Sequence, residues 1–297
     1  MVATRVLVVS DSHLSSRTPE ALANWDAVVE HIASDRPDVV VHAGDVSTDG
    51  TEVEDDLAFA RVQLDRSELP VHAIPGNHDL GDNPHAGYAD PSGAIRDHAE
   101  DDGDGPRHGR IDAGRLARYR THLGPDRFTI DIPGWRLVGV DAQLFDSGLD
   151  DEAIQWAWLD EQVRAAGPRD RVGLFVHKPV IPSPSLADDV NPGRYVPPSA
   201  RARLLGTGAR LVVSGHTHQF CRHRTDGVTH VWVPSTWAVI PERFQPTIGD
   251  KVCGVVELVL HDDGRCEVEL ILPYGIVQQA IIDDLPDPYQ RPERTAR

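Results

Sequence analysis

Residues of the types that bind metal ions follow five short apolar segments of the sequence. They lie in Asp11-Ser12-His13, Gly44-Asp45, Gly76-Asn77-His78-Asp79, His177 and Gly215-His216-Thr217-His218. Carboxylate, amide and imidazole ligands without thiolate suit manganese, iron, zinc, cobalt or nickel, rather than a calcium cage or an iron–sulfur cluster. The seven candidate ligands are Asp11, His13, Asp45, Asn77, His177, His216 and His218. Seven groups exceed the needs of one ion with an open position, so the pattern favours two divalent ions that share a carboxylate.

Alternating strands and helices are predicted to place these residues at one edge of a sheet. The first three apolar segments and two helical segments alternate as β-α-β-α-β, over residues 5–10, 19–34, 38–42, 52–66 and 71–74. This order favours a largely parallel sheet, and ligands of open α/β sheets gather beyond the carboxyl ends of the strands. Apolar runs at 171–176 and 209–213 precede the last two metal-binding segments. We therefore expect all five segments to converge in space.

Further strands are predicted outside this alternating region. Apolar runs at 128–132 and 136–140 flank Pro133-Gly134 and predict a pair of strands. The stretch 230–272 predicts an antiparallel meander, with Asp262-Asp263-Gly264 as a hairpin turn.

The length of 297 residues fits one large domain better than two small ones. We expect a single domain over residues 1–282. Residues 81–115 are polar and rich in Gly and Asp, which predicts an insertion near the site. Residues 283–297 combine charge and proline and predict a frayed tail.

The charge balance excludes some classes of partner. The chain has 29 Lys and Arg against 47 Asp and Glu, a net charge of −18, whereas nucleic acids and anionic membranes require a basic surface. No apolar stretch approaches the ~20 residues that span a bilayer. The three cysteines have no CxxC spacing, which favours a reducing compartment over a disulfide framework. We expect a cytoplasmic protein whose partner is neither a nucleic acid nor a membrane.

In their order and spacing, the five metal-binding segments resemble the motifs of the calcineurin-like metallophosphoesterase superfamily. The resemblance implies an α/β fold: a four-layer α/β/β/α sandwich of two mixed sheets flanked by helices, with the metal site at the carboxyl ends of the strands. It implies one metal ion held by Asp11, His13, Asp45 and His218. It implies a second ion held by Asp45, Asn77, His177 and His216, with the Asp45 carboxylate bridging. His78 matches a histidine that lies beside the metals and assists the leaving group.

These residues together predict a metal-dependent phosphoester hydrolase. Two cations depress the pKa of bound water, so that a bridging hydroxide can attack phosphorus near neutral pH. An unligated His78 can protonate the departing alkoxide. The predicted substrate is a small phosphomonoester or phosphodiester. The alternatives are a nuclease of the same superfamily, which the net charge disfavours, and a non-catalytic metal-binding scaffold, which the complete ligand set disfavours.

The sequence leaves the substrate and three residue roles open. Residues 44–50 resemble the branch of bacterial cyclic-nucleotide phosphodiesterases, whereas residues 79–84 are more similar to phosphatase-type members. A cyclic nucleotide is therefore one of the substrates that the sequence leaves open. Lys178 and Arg222 are the nearest basic residues, and each either meets the phosphate or faces solvent. Asp79 either orients a site residue or caps the local turn.

Overall fold

One mixed sheet of five strands carries the N-terminal half of the site. The computed structural model of the chain describes residues 2–83, 88–89, 95–96, 109–167, 170–187, 189, 191 and 193–281. The strands of this sheet, in spatial order, are Cys266–Ile271 (β13), Val255–His261 (β12), Ala3–Val9 (β1), Val39–His42 (β2) and Val71–Ala73 (β3). Strands β1, β2 and β3 run parallel, as predicted, and β12 pairs with β1 in the antiparallel sense.

A second mixed sheet of six strands carries the C-terminal half of the site. Its strands, in spatial order, are Cys221–Thr225 (β10), Val228–Trp232 (β11), Leu211–Ser214 (β9), Arg171–Val176 (β8), Trp135–Val140 (β7) and Phe128–Ile132 (β6). The four inner strands run parallel, and β6 and β10 close the two edges in the antiparallel sense. A short ribbon pairs Tyr88–Ala89 (β4) with Ile95–Arg96 (β5).

Helices cover the outer faces of both sheets. They are Pro19–Asp35 (α1), Glu54–Leu64 (α2), Asn77–Leu80 (α3), Ala113–His122 (α4), Asp150–Ala165 (α5) and Pro198–Gly206 (α6). Helices α1, α2 and α4 pack on the first sheet, and α5 and α6 pack on the second. Because side chains alternate along a strand, Leu7 and Val9 of β1 face the helices while Val6 and Val8 pack between the sheets. The expected four-layer α/β/β/α sandwich is confirmed.

The predicted meander over residues 230–272 is wrong in its topology. Strand β11 pairs parallel with β9 in the second sheet, whereas β12 and β13 belong to the first sheet. The segment between them crosses from one sheet to the other, which an apolar pattern along the sequence does not reveal. The hairpin between β12 and β13 is present, and Gly264 takes its turn with φ +88°.

Two predicted segments lie mostly or wholly outside the described residues. The insertion at about 81–115 is described at residues 81–83, in the short ribbon and from residue 109 onward, and the tail at 283–297 is not described. In the described part of the chain, no helix combines the length and apolar character needed to cross a membrane.

Candidate metal centre

The predicted ligands lie in loops at the carboxyl ends of strands from both sheets. Asp11 and His13 follow β1, Asp45 follows β2, and Asn77 opens the one-turn helix α3 after β3. His177 directly follows β8, and His216 and His218 follow β9. The parallel direction of these strands places all five loops at the same edge of the sandwich.

The backbone of these loops is held in an uncommon conformation. Five of the candidate ligands have φ between +45° and +69°, namely Asp11, His13, Asp45, His216 and His218. A left-handed conformation at a residue other than glycine costs about 1–3 kcal/mol. Such conformations persist only where the surrounding structure over-determines them. Their concentration here indicates a site whose geometry is imposed by the fold.

Two glycines allow the loops to approach one another closely. A Cβ at Gly76 would lie 2.1 Å from Oδ1 of Asp45, and a Cβ at Gly215 would lie 1.9 Å from Oγ of Ser10. Any side chain at these positions would push the loops apart. The glycines of the Gly-Asn-His-Asp and Gly-His-Thr-His motifs are therefore required for the convergence of the candidate ligands.

One cluster of buried donor atoms contains Asp11, His13 and His218. Nε2 of His218 lies 3.2 Å from Nε2 of His13 and 3.5 Å from Oδ1 of Asp11. Nδ1 of His218 donates to the carbonyl oxygen of Ala238 at 2.7 Å, so its Nε2 carries the lone pair of the neutral ring. Ser10 Oγ donates to Asp11 and fixes the carboxylate. Donor atoms thus converge on one point.

A second cluster contains Asp45, His177 and His216. Nε2 of His177 lies 3.2 Å from Oδ2 of Asp45. Nδ1 of His177 donates to the carbonyl oxygen of Ala43 at 2.8 Å, and Nε2 of His216 bonds the carbonyl oxygen of Gly193 at 2.9 Å. Each carbonyl selects the tautomer whose other ring nitrogen is free to bind a cation.

The donor set fits divalent cations. Oδ1 of Asn77 is buried and lacks a hydrogen-bond partner among the residues that the structure describes. Buried polar atoms are almost always paired, so this atom points to a ligand that satisfies it. Oxygen and imidazole nitrogen in this arrangement suit a divalent transition metal.

Burial and neighbouring charges shift the pKa values of the candidate ligands. Burial opposes charge on Asp45 and His177, but their mutual attraction outweighs it, raising the pKa of His177 to about 9 and holding the pKa of Asp45 well below its usual range. Burial, aided by Asp45, raises the pKa of Asp11 to about 7. Burial lowers the pKa of His218 to about 4 and that of His216 well below its usual range. A bound cation would displace the protons of His177 and Asp11.

The structure places His78 beside both clusters. Its backbone N–H donates to Oδ1 of Asp45 at 2.8 Å, and its ring packs edge-on against His13 with centroids 4.4 Å apart. Nδ1 of His78 bonds the carbonyl oxygen of Thr48 at 2.8 Å. With Asp45 and His13, His78 forms a third group of potential metal ligands.

Asp79 joins two ligand loops. Its carboxylate accepts the backbone N–H groups of Gly76, Val46 and Ser47 at 2.8–3.1 Å, and also the Ser47 hydroxyl. Asp79 therefore caps the local turn, which is one of its two predicted roles. It also links the loop after β2 to the loop after β3.

The two basic residues singled out in the sequence have different environments. Lys178 is fully buried and forms an ion pair with Asp82, which contradicts the alternative that it faces solvent. Arg222 is exposed on β10 and donates to the carbonyl oxygen of Val268 at 3.3 Å. Asp82 was missed by the sequence reasoning, because its partner Lys178 lies 96 positions away along the chain.

The sequence of the chain matches one family and one curated relative. The model of the family described as calcineurin-like phosphoesterase matches residues 4–220. A protein of Arcobacter nitrofigilis named "Probable glycerophosphodiester phosphodiesterase GpdQ" is 27% identical over 187 residues. That alignment covers 59% of this chain and 57% of the relative, so the chain spans little more than half the length of the relative that it matches.

Solved structures share the fold at low sequence identity. A dimetal phosphatase from Danio rerio is similar over 91% of this chain and 99% of its own length, with a TM-score of 0.56 and 16% identity. The structure described as "GAP50 the anchor in the inner membrane complex of Plasmodium" is similar over 93% of this chain and 87% of its own, with a TM-score of 0.57 and 14% identity. At such identities the similarity shows the fold alone.

Proposed function

Because the chain belongs to the calcineurin-like phosphoesterase family, we propose that it is a metal-dependent phosphoester hydrolase that cleaves small phosphodiesters with two divalent metal ions. The observation that carries this proposal is that one buried carboxylate belongs to two groups of potential ligands. Asp45 forms one group with His13 and His78 and another with His177 and His216. A carboxylate with nitrogen donors on either side is suited to bridge two ions.

The proposed ligands divide into two sets that share Asp45. The first ion is held by Asp11, His13, Asp45 and His218, and the second by Asp45, Asn77, His177 and His216. Support for the first set comes from the facing Nε2 atoms of His13 and His218. Support for the second comes from the unpartnered buried Oδ1 of Asn77 and from the group formed by Asp45, His177 and His216. When bound, divalent ions supply Lewis acidity that activates water and neutralises charge on the phosphate oxygens.

The chain's own contribution to bond cleavage is assigned to His78. Hydrolysis forms a bond between water oxygen and phosphorus and breaks the bond from phosphorus to the leaving oxygen, which must gain a proton. His78 is held by Thr48 and packed on His13, and these contacts fix its ring beside the proposed ligands. It donates the proton to the leaving oxygen.

Glycerophosphodiesters are the proposed substrate class. The name of the Arcobacter relative supports a diester of glycerol phosphate. The net charge of −18 supports a small substrate over a nucleic acid, because a polyanion would be repelled along its whole length.

A panel of phosphate esters tests the substrate class. Purified protein with added MnCl2 is assayed on glycerophosphocholine, bis-p-nitrophenyl phosphate, cyclic AMP, p-nitrophenyl phosphate and a single-stranded DNA oligonucleotide. We expect kcat/KM for glycerophosphocholine to exceed that for the other natural esters at least tenfold, with glycerol 3-phosphate or phosphocholine as the released ester. Hydrolysis of the monoester alone, or a preference for cyclic AMP or DNA, contradicts the assigned class.

A further inference from the structure

Lys178 carries a buried charge next to the proposed metal centre. It directly follows His177 at the end of β8, and 0% of its surface is exposed. An ammonium group removed from water is strongly destabilising unless a partner compensates it. The buried carboxylate of Asp82 is that partner. The charge of Lys178 is thus neutralised inside the protein.

Gln143 connects this ion pair to the backbone of the proposed ligand Asn77. It lies buried in the short 3-10 helix Ala142–Leu144 that follows β7. With its amide oriented to satisfy both ends, Gln143 donates to Oδ1 of Asp82 at 3.0 Å and accepts the backbone N–H of Asn77 at 3.3 Å. The loops after β3, β7 and β8 are therefore linked by one chain of polar contacts.

This chain of contacts ends at Asn77, a proposed ligand of the second ion. Oδ1 of Asn77 is buried and unpartnered among the described residues, so its position depends on the backbone that Gln143 holds. The ligands of the first ion have other supports. Ser10 holds the carboxylate of Asp11, and the carbonyl of Ala238 holds His218.

We propose that the buried Lys178–Asp82 ion pair, acting through Gln143, is a positioning device that presents Asn77 to the second metal ion and sets the affinity of that position. This inference rests on the proposed function, because it requires two ion positions. Partners that orient a ligand from behind typically change metal affinity by about 10–100-fold when they are removed. Neither Lys178 nor Asp82 needs to touch the substrate.

Titration of the metal-free full-length chain with MnCl2 tests the proposal. Free Mn²⁺ is followed by electron paramagnetic resonance, which also detects the spectrum of an exchange-coupled Mn²⁺ pair. The variants are Lys178→Met, Asp82→Asn and Gln143→Met, with Asn77→Ala as the reference for loss of the second position. Glu257→Gln is the matched control, since Glu257 is a buried carboxylate paired with Arg5 on the far part of the first sheet.

We expect the wild type and Glu257→Gln to bind two Mn²⁺ ions. In the three network variants, Lys178→Met, Asp82→Asn and Gln143→Met, the Kd for one Mn²⁺ ion rises about tenfold or more, while the Kd for the other ion stays within twofold. The spectrum of the coupled Mn²⁺ pair is lost at low Mn²⁺, as in Asn77→Ala. Gln143→Met leaves the buried ion pair intact, so it carries the test if the charge variants do not fold. Circular dichroism and gel filtration verify folding of every variant.

The possible failures separate the inference from the proposed function. A wild type that binds no more than one ion contradicts the proposed function itself. A wild type that binds two ions, with Gln143→Met binding both at wild-type affinity, overturns the positioning role and leaves the proposed function standing. Equal weakening of both positions in the network variants also overturns it, because general destabilisation would then explain the effect.

Discussion

His78 is anchored in the same way as most of the proposed ligand histidines, by a backbone carbonyl oxygen. The carbonyl of Thr48 holds its Nδ1, and its ring also packs edge-on against the ring of His13. Its backbone N–H also holds Oδ1 of the Asp45 carboxylate. These contacts fix the ring at the edge of the centre, where a proton donor to a leaving group must lie.

Replacing His78 is predicted to impair chemistry more than metal binding. His78→Ala should lower kcat for glycerophosphocholine by about 10²–10⁴-fold, the usual contribution of a general acid. The loss should be much smaller for bis-p-nitrophenyl phosphate, because p-nitrophenolate leaves without protonation. Steady-state kinetics on both esters, with metal content measured in parallel, checks this prediction.

His122→Ala is the control for that experiment, since His122 pairs with Glu54 away from the centre and should retain wild-type kcat. Equal losses on the two esters would argue against a proton donor. Loss of bound metal in His78→Ala would instead make His78 a ligand.

At the scale of elements, the loops after β1 and β2 continue the parallel ladder beyond the two strands. Asp11 N–H donates to the carbonyl of Gly44 at 2.9 Å, and His13 N–H donates to that of Asp45 at 3.1 Å. His42, at the end of β2, adds a side-chain link: Nδ1 accepts the Gly44 N–H, which leaves Nε2–H to donate to Ser12 Oγ. This bridge requires a neutral imidazole.

Acid is therefore predicted to weaken this pair of loops through His42. Burial lowers the pKa of His42 to about 3, whereas the unfolded chain protonates it near 6.5. Between these values the unfolded state binds more protons, so the stabilising effect is complete above pH 6.5 and is lost as the pH falls toward 3. The contribution is about 1.4 kcal/mol for each pH unit.

Urea unfolding of the metal-free protein between pH 7 and 4.5 measures this effect. His42→Gln should lose stability with falling pH less steeply than the wild type, by about that amount per unit. Parallel slopes for the two proteins would show that His42 does not titrate on unfolding.

At the scale of the whole molecule, the sequence predicted the sandwich and the convergence of the five metal-binding segments. It did not predict the polar contacts among Lys178, Asp82 and Gln143 that lie behind them. Apolar runs and the residues that end them are local patterns, which is why the loops of Asp11, Asp45 and His218 were found. The pairing of Lys178 with Asp82 joins residues 96 positions apart. Only the contact between the loop after β8 and the loop after α3 reveals it. The crossing of the chain between sheets after β11 was missed for the same reason.

The net charge of −18 is also a property of the whole molecule. Two divalent ions would add four positive charges, which leaves about −14. An anionic ester therefore approaches a repelling protein and is attracted by the ions only within about one Debye length, about 8 Å at physiological salt. The excess negative charge surrounds the metal centre, and the ligands of the centre do not account for it.

Moderate salt is accordingly predicted to help substrate capture. KM for bis-p-nitrophenyl phosphate, which carries a net negative charge, should stay constant or fall as KCl rises from about 10 mM to 150 mM, because screening shortens the range of the repulsion. Initial rates at constant free Mn²⁺ measure it. A KM that rises over this range would show that the protein's field attracts the substrate.

The shared carboxylate of Asp45 is the central claim, and the Asp45→Asn variant tests it most directly. Mn²⁺-dependent hydrolysis of bis-p-nitrophenyl phosphate is compared for the wild type, Asp45→Asn and the buried-carboxylate control Glu257→Gln. We predict that Asp45→Asn loses kcat/KM by about 10³-fold or more, which corresponds to about 4 kcal/mol of transition-state stabilisation, while the control retains activity. Wild-type activity in Asp45→Asn, or metal-independent hydrolysis by the wild type, would contradict a centre built around this carboxylate.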